Sequence, residues 1–128
     1  MRISPEQIYP SQDYLKPDTV AFIFRCIQEG KSDQLPPMPI VRQGTDGHLI
    51  AIDGHNIIAV RLYRREDIDV HVARSAADGL LPTSEANTQR NKDLREKFDS
   101  VIDERSHVSS QGITTFWDLI RRYPELFP

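Results

Sequence analysis

The chain has 128 residues, 38% of them hydrophobic and 27% charged, with a formal net charge of −3. That is one domain of ordinary size, or one domain with a short appendage, with enough apolar residues to build a core. A broad cationic face for nucleic acid is excluded, since Lys and Arg number 9 against 10 acids in residues 1–74 and 7 against 9 in residues 75–128.

Cys26 is the single cysteine, so an internal disulfide and a cysteine-built zinc site are both excluded. No apolar run approaches the ~20 residues a membrane helix needs. Met1-Arg2-Ile3-Ser4-Pro5 has no apolar stretch after its basic residue, so no secretory signal peptide is expected. Together these features point to the cytoplasm, with no membrane partner.

In chain order, a short strand is expected around Gln7–Tyr9, between Pro5 and Pro10. Pro17 and Asp18 suit a helix start and Gly30 a helix end, while Val20, Ile23, Phe24 and Ile27 share one helical face. Residues 17–29 therefore read as an amphipathic helix, with Cys26 at the border of its buried stripe as a plain buried thiol. Gln34-Leu35-Pro36-Pro37-Met38-Pro39 must run extended. It feeds a strand, Ile40–Gln43, a turn at Gly44-Thr45-Asp46-Gly47, and a return strand, His48–Asp53. Gly54 breaks the hairpin, a second helix covers His55–Arg65, and Ile68–Val72 alternates as a third strand.

Composition shifts after Arg74. Ser75–Asn87 reads as a linker, followed by a helix from about Glu85 to Glu104 whose apolar positions (Leu94, Phe98, Val101, Ile102) make a narrow stripe that must pack on something else. A loop over His107–Gly112 and a short helix capped by Thr114 or Thr115 and running through Arg122 complete the chain. Trp117, Phe116, Leu119, Ile120, Tyr123, Leu126 and Phe127 form a dense apolar cluster, suited to core packing or to a homodimer contact through the C-terminal helices. The expected organisation is one α+β domain over 1–74 and a linker with a helical extension over 75–128.

The residues that point to chemistry are Asp53-Gly54-His55-Asn56, at the junction of a strand and a helix. The first turn of a helix presents unpaired N–H groups and the positive end of the helix dipole, which attract phosphate or sulfate. Glycine permits close backbone approach, His55 and Asn56 add side-chain donors, and Asp53 can hold a metal ion or orient a hydroxyl. The plain reading of the same four residues is a turn in which Asp53 caps the helix and His55 and Asn56 face water. Arg61, Arg64 and Arg65 follow in that helix, either as further phosphate ligands or as a solvated face with Asp67 and Asp69 as counter-charges. Glu29 and Asp33 are outlying candidates for a carboxylate base, and His48 and His71 fall on the wet face of strands with no metal role expected.

The order of these elements resembles the ParB/sulfiredoxin superfamily. The residues that carry the resemblance are Leu35–Val41, Leu49-Ile50-Ala51-Ile52-Asp53-Gly54-His55-Asn56, Ala59-Val60-Arg61-Leu62 and Ile68–Val72, within residues 3–74. It implies a small mixed sheet with packed helices, in which the turn and helix start hold nucleotide phosphates. ParB-type partition proteins bind CTP there and clamp DNA; sulfiredoxins use ATP to repair over-oxidised cysteines. Archaeal relatives with an Asp-Gly-His-His-Arg turn phosphorylate free serine, and other members are described as nuclease-like. Sulfiredoxin chemistry is excluded because His55 stands where its cysteine must be. The ParB-type Glu-Arg-Arg run is replaced by His55-Asn56-Ile57. The kinase-like members share Asp53, Gly54 and His55, with Ile57 in place of their phosphate-binding arginine.

The expectation is therefore a nucleotide- or phosphate-binding domain, in the direction of a small-molecule phosphotransferase. Asp53 and His55 are its catalytic candidates, and Gly54, His55, Asn56 and Arg61 its ligands. The implied cofactor is ATP, ADP or CTP with magnesium. The alternative is a non-enzymatic DNA-linked or protein-interaction module that kept the fold and lost the nucleotide.

Overall fold

A computed structural model describes residues 1–85 and 87–128. The fold is α+β, as expected. The strands are β1 (Arg2–Ile3), β2 (Ile8–Tyr9), β3 (Ile40–Gln43), β4 (Leu49–Asp53), β5 (Ile68–Asp69) and β6 (His71–Val72). The helices are α1 (Pro17–Gln28), α2 (His55–Tyr63), α3 (Thr88–Ser110) and α4 (Phe116–Ile120). Four strands form a mixed sheet in the order β2-β4-β3-β6, and β1 pairs with β5 apart from it.

The β3–β4 hairpin is antiparallel, with Val41 opposite Ala51 and Arg42 opposite Ile50. Its turn closes by Gly44 N–H to His48 O (2.7 Å), and Gly47 takes φ +86°. The expected third strand, Ile68–Val72, divides in two: β5 pairs antiparallel with β1, and β6 runs parallel to β3.

β4 explains the layering. Its apolar residues are consecutive because both faces of the sheet are covered. Ala51 joins a cluster with Val20 and Ile23 of α1, Ile58 and Leu62 of α2, and Phe116 and Leu119 of α4. Ile50 and Ile52 turn to the other face, where Leu94 and Val101 of α3 meet them with Ile40 and Ala73. Arg42 seals that layer, its guanidinium 4.2 Å from the centre of the Phe98 ring and donating to Phe98 O (2.6 Å). The narrow stripe of α3 is thus spent on the sheet. The C-terminal cluster is spent within the chain too, with Phe127 5.8 Å from Phe24 and 5.3 Å from Tyr63.

α3 differs from expectation at both ends. It starts at Thr88 rather than near Glu85, because Ser84 serves a preceding turn: its Oγ accepts from Asn87 N–H and its carbonyl from Thr88 Oγ1–H. Ala86, inside the expected start, lies outside the described residues. At the far end the helix runs on to Ser110, where a loop was expected from His107, because Val108 is buried in the core and extends the stripe by another turn. α4 is shorter than expected and stops at Ile120; Thr115 and Asp118 form its capping box.

Among the described residues, one non-glycine backbone position is strained. Arg65, just past the C-terminus of α2, has φ +59°, a conformation that favours glycine. Its guanidinium lies 5.6 Å from the centre of the Trp117 ring, an exposed contact of small value. Arg65→Gly should therefore raise stability by about 0.5–1 kcal/mol, read as a higher urea midpoint at unchanged slope. A lower midpoint would mean that the Trp117 contact outweighs the strain.

Candidate functional site

Gly54 brings β4 into α2 by adopting φ +92°, ψ 25° as the helix N-cap. A Cβ there would stand 2.7 Å from Pro39 Cβ, so glycine is required both by conformation and by the close approach of the Pro-rich segment. Gly54→Ala should cost at least about 2 kcal/mol. A chemical denaturation midpoint within error of the parent would show that Pro39 yields freely.

No side chain caps α2. Asp53 does not serve as the cap that the plain reading gave it, and the first-turn N–H groups are left for another acceptor. Beside this helix start lies a small polar cleft of about 90 Å³ lined by Asp53, Gly54, His55 and Asn56, with Lys16 from the α1 entry and Asp93 and Lys97 from α3. Neither lysine makes an ion pair among the described residues. Asn56 Oδ1 accepts from Lys16 N–H (2.9 Å), which leaves the Asn56 amide nitrogen as a donor at the cleft.

The cleft shares Gln12, Tyr14 and Lys97 with a larger groove of about 520 Å³ between residues 11–14 and the later turns of α3. Asp103, Glu104, His107 and Val108 line its far wall. A volume near 90 Å³ admits an oxyanion; the adjoining groove, unlike the cleft itself, is in the size range of small-molecule sites.

Four sequence-predicted residues, Asp53, Gly54, His55 and Asn56, meet here, and the fifth, Arg61, does not. His55 is only 2% exposed, its Nε2 accepting from Ser11 N–H at 3.0 Å, which puts the ring proton on Nδ1. Ser11 Oγ–H in turn donates to Ala51 O (2.6 Å), and the Phe116 ring lies 5.5 Å from the imidazole. Burial, with a further push from the Lys97 charge, lowers the His55 pKa to about 3. A neutral imidazole held in this way is not poised to exchange a proton near pH 7, and its contacts with Ser11 and Phe116 are a hydrogen bond and a packing contact.

Arg61 is not at the site. Its Nη1 pairs with Glu66 Oε2 (2.9 Å), and it lines a separate cleft with Arg2, Met38, Pro39 and Ile57. Ile57, where the sequence resemblance would put a phosphate-binding arginine, is 5% exposed and belongs to the core. Both residues lie one helical turn apart on the face of α2 turned to the Pro-rich segment.

Asp53 is the carboxylate that remains at the cleft. Burial raises its pKa, while Arg90, 3.7 Å from Nε to Oδ2, pulls it back. The outlying candidates stay away. Glu29 pairs with Lys31 (3.0 Å), and neither it nor Asp33 lines the cleft. His48 pairs with Asp46 and stacks on Tyr9, and His71 pairs with Asp78. Cys26 is buried. Sequence reasoning missed Lys16, Arg90, Asp93 and Lys97. The signal was present in α3, where Arg90, Asp93 and Lys97 follow at i, i+3 and i+7 beside the apolar stripe.

No helix among the described residues is long and apolar enough to cross a membrane. No protein-family model, curated protein or solved structure matches the chain.

Proposed function

We propose that the protein binds a phosphate-bearing small molecule, in the class of a nucleotide, with its phosphate at the first turn of α2. The observation that carries this reading is the uncapped start of α2 beside a polar cleft with two lysines that make no ion pair among the described residues. The backbone N–H groups of residues 55–57, the Asn56 amide and the Lys97 ammonium are the donors. The missing family arginine is thus replaced by a lysine from another helix. The adjoining groove takes the body of the ligand, with the half-exposed Tyr14 as its apolar surface.

Magnesium arriving with nucleotide phosphates needs only one or two protein carboxylates. Asp53 and Asp93 supply that type, and among the described residues no cluster of three or more His, Cys, Asp or Glu is placed to hold an ion alone. For phosphoryl transfer, the base within reach of the cleft is Asp53, not His55.

A thermal-shift screen of ATP, ADP, CTP and GTP, each with and without magnesium, tests the reading. At least one should raise the melting temperature in a concentration-dependent way. No shift from any of the four at millimolar concentration would remove the nucleotide from the proposal.

A further inference from the structure

Behind the cleft lies a buried guanidinium with one hydrogen bond unmade. Arg90 of α3 is 8% exposed. Its Nη1–H donates to Gly79 O (2.8 Å) and its Nη2–H to Met38 O (3.2 Å). Its Nε–H has no partner, the only buried side-chain nitrogen or oxygen in that state among the described residues. Such donors are rare in folded proteins, because each forfeits its bonds to water and gains nothing. Asp53 Oδ2 faces this nitrogen at 3.7 Å, beyond hydrogen-bond distance. The same Asp53 carboxylate forms part of the cleft wall, with 28% of the side chain exposed.

We infer that Arg90 is the positioning residue of the cleft: when an oxyanion enters at the α2 amides, the Asp53 carboxylate withdraws onto the Arg90 Nε–H and completes that bond. The inference rests on the phosphate reading above. A carboxylate beside an incoming oxyanion repels it, and the repulsion grows as the two approach. Closing the 3.7 Å gap to a charge-assisted bond of about 2.8 Å moves the like charges apart and satisfies the stranded donor in one step. Arginine is suited to this because its two Nη groups stay fixed on Gly79 and Met38 while Nε is left to respond; a lysine has no such division of donors. Burial already raises the Asp53 pKa, so this partner also bears on whether the wall carries charge. Met38 immediately precedes the proline that abuts Gly54, and Arg90 therefore joins three segments around the helix start: the Pro-rich stretch, the end of β4 and the linker at Gly79.

The test is an NMR titration of the intact protein with sodium sulfate, an oxyanion that does not titrate between pH 5 and 8. It follows the backbone amides of residues 55–57 together with the arginine Nε–H signals. Arg90→Lys identifies the Arg90 signal by its loss; Asp53→Asn identifies it independently by its changed position, should the first variant fold poorly. The Arg90 Nε–H should move downfield and exchange more slowly with water, with the same midpoint as the amides. In Asp53→Asn sulfate should bind more tightly, and the Arg90 signal should lose its response. Amides that saturate while Arg90 Nε–H stays still, or an Arg90 response that persists in Asp53→Asn, would overturn the positioning role and leave the phosphate reading standing. Amides unmoved at 100 mM sulfate would overturn both.

Discussion

Acidification from pH 6.5 should cost the protein about 1.4 kcal/mol of stability per pH unit through His55 alone. The unfolded imidazole takes its proton near pH 6.5, whereas the folded one does so only near pH 3. Between those values the unfolded state holds one more proton, so falling pH favours unfolding; above 6.5 the contribution is complete and flat. Asp53 acts in the opposite sense, because its folded pKa is raised above 3.8 and the folded state takes that proton first. Asp118, held low chiefly by the Thr115 backbone N–H, adds a loss below its unfolded value of 3.8. Comparison with His55→Gln isolates the histidine, since glutamine keeps an acceptor for Ser11 N–H and carries no proton. Urea unfolding at pH 7, 6 and 5 should show the parent losing stability steadily and the variant losing far less. Equal pH slopes in the two proteins would mean that His55 is not a buried, neutral imidazole.

Ile57→Arg should destabilise the fold by about 3–5 kcal/mol without strengthening phosphate binding. The side chain is 5% exposed within the core cluster, and it lines the cleft of Arg2 and Arg61 rather than the one lined by Asp53, Gly54, His55 and Asn56. An arginine there loses apolar burial, overfills the site and adds a third cation beside those two. The melting temperature should fall sharply, and nucleotide affinity at a temperature where the variant remains folded should not rise. A variant that melts like the parent and binds nucleotide tenfold more tightly would place residue 57 at the phosphate.

Residue 57 also shows where sequence stops being informative. The hairpin, the glycine junction and the helices α1 and α2 follow from local patterns: short apolar runs on either side of the Asp46-Gly47 turn, period 3.6 from Val20 to Ile27, and a glycine where φ must be positive. Those patterns are properties of neighbouring residues and so can be read from the chain. The roles of His55, Arg61 and Lys97 depend on which elements cover α2, and that is a tertiary matter. His55 turns inward because Ser11, 44 residues earlier, offers an N–H, and because α4 closes over the ring with Phe116. Arg61 was expected at the phosphate, but its spacing from Asn56 carries it to another face, where Glu66 takes it. Lys97 reaches the cleft only because α3 lies across β4 from the far side of the sheet, and nothing near Asp53 in sequence marks that crossing.

Charge reversal at Lys97 tests most directly the proposal that an anion binds at the start of α2 with this lysine as its charged partner. Lys97 lies partly in solvent on α3, so Lys97→Glu should leave the ligand-free melting temperature close to that of the parent. Calorimetric titration should then show affinity for the best-binding nucleotide falling at least tenfold, since a charge-assisted contact worth about 1.5–3 kcal/mol is lost and a repulsion is added. Unchanged affinity in a normally folded Lys97→Glu protein would contradict the account and move the ligand, if one binds, away from α2.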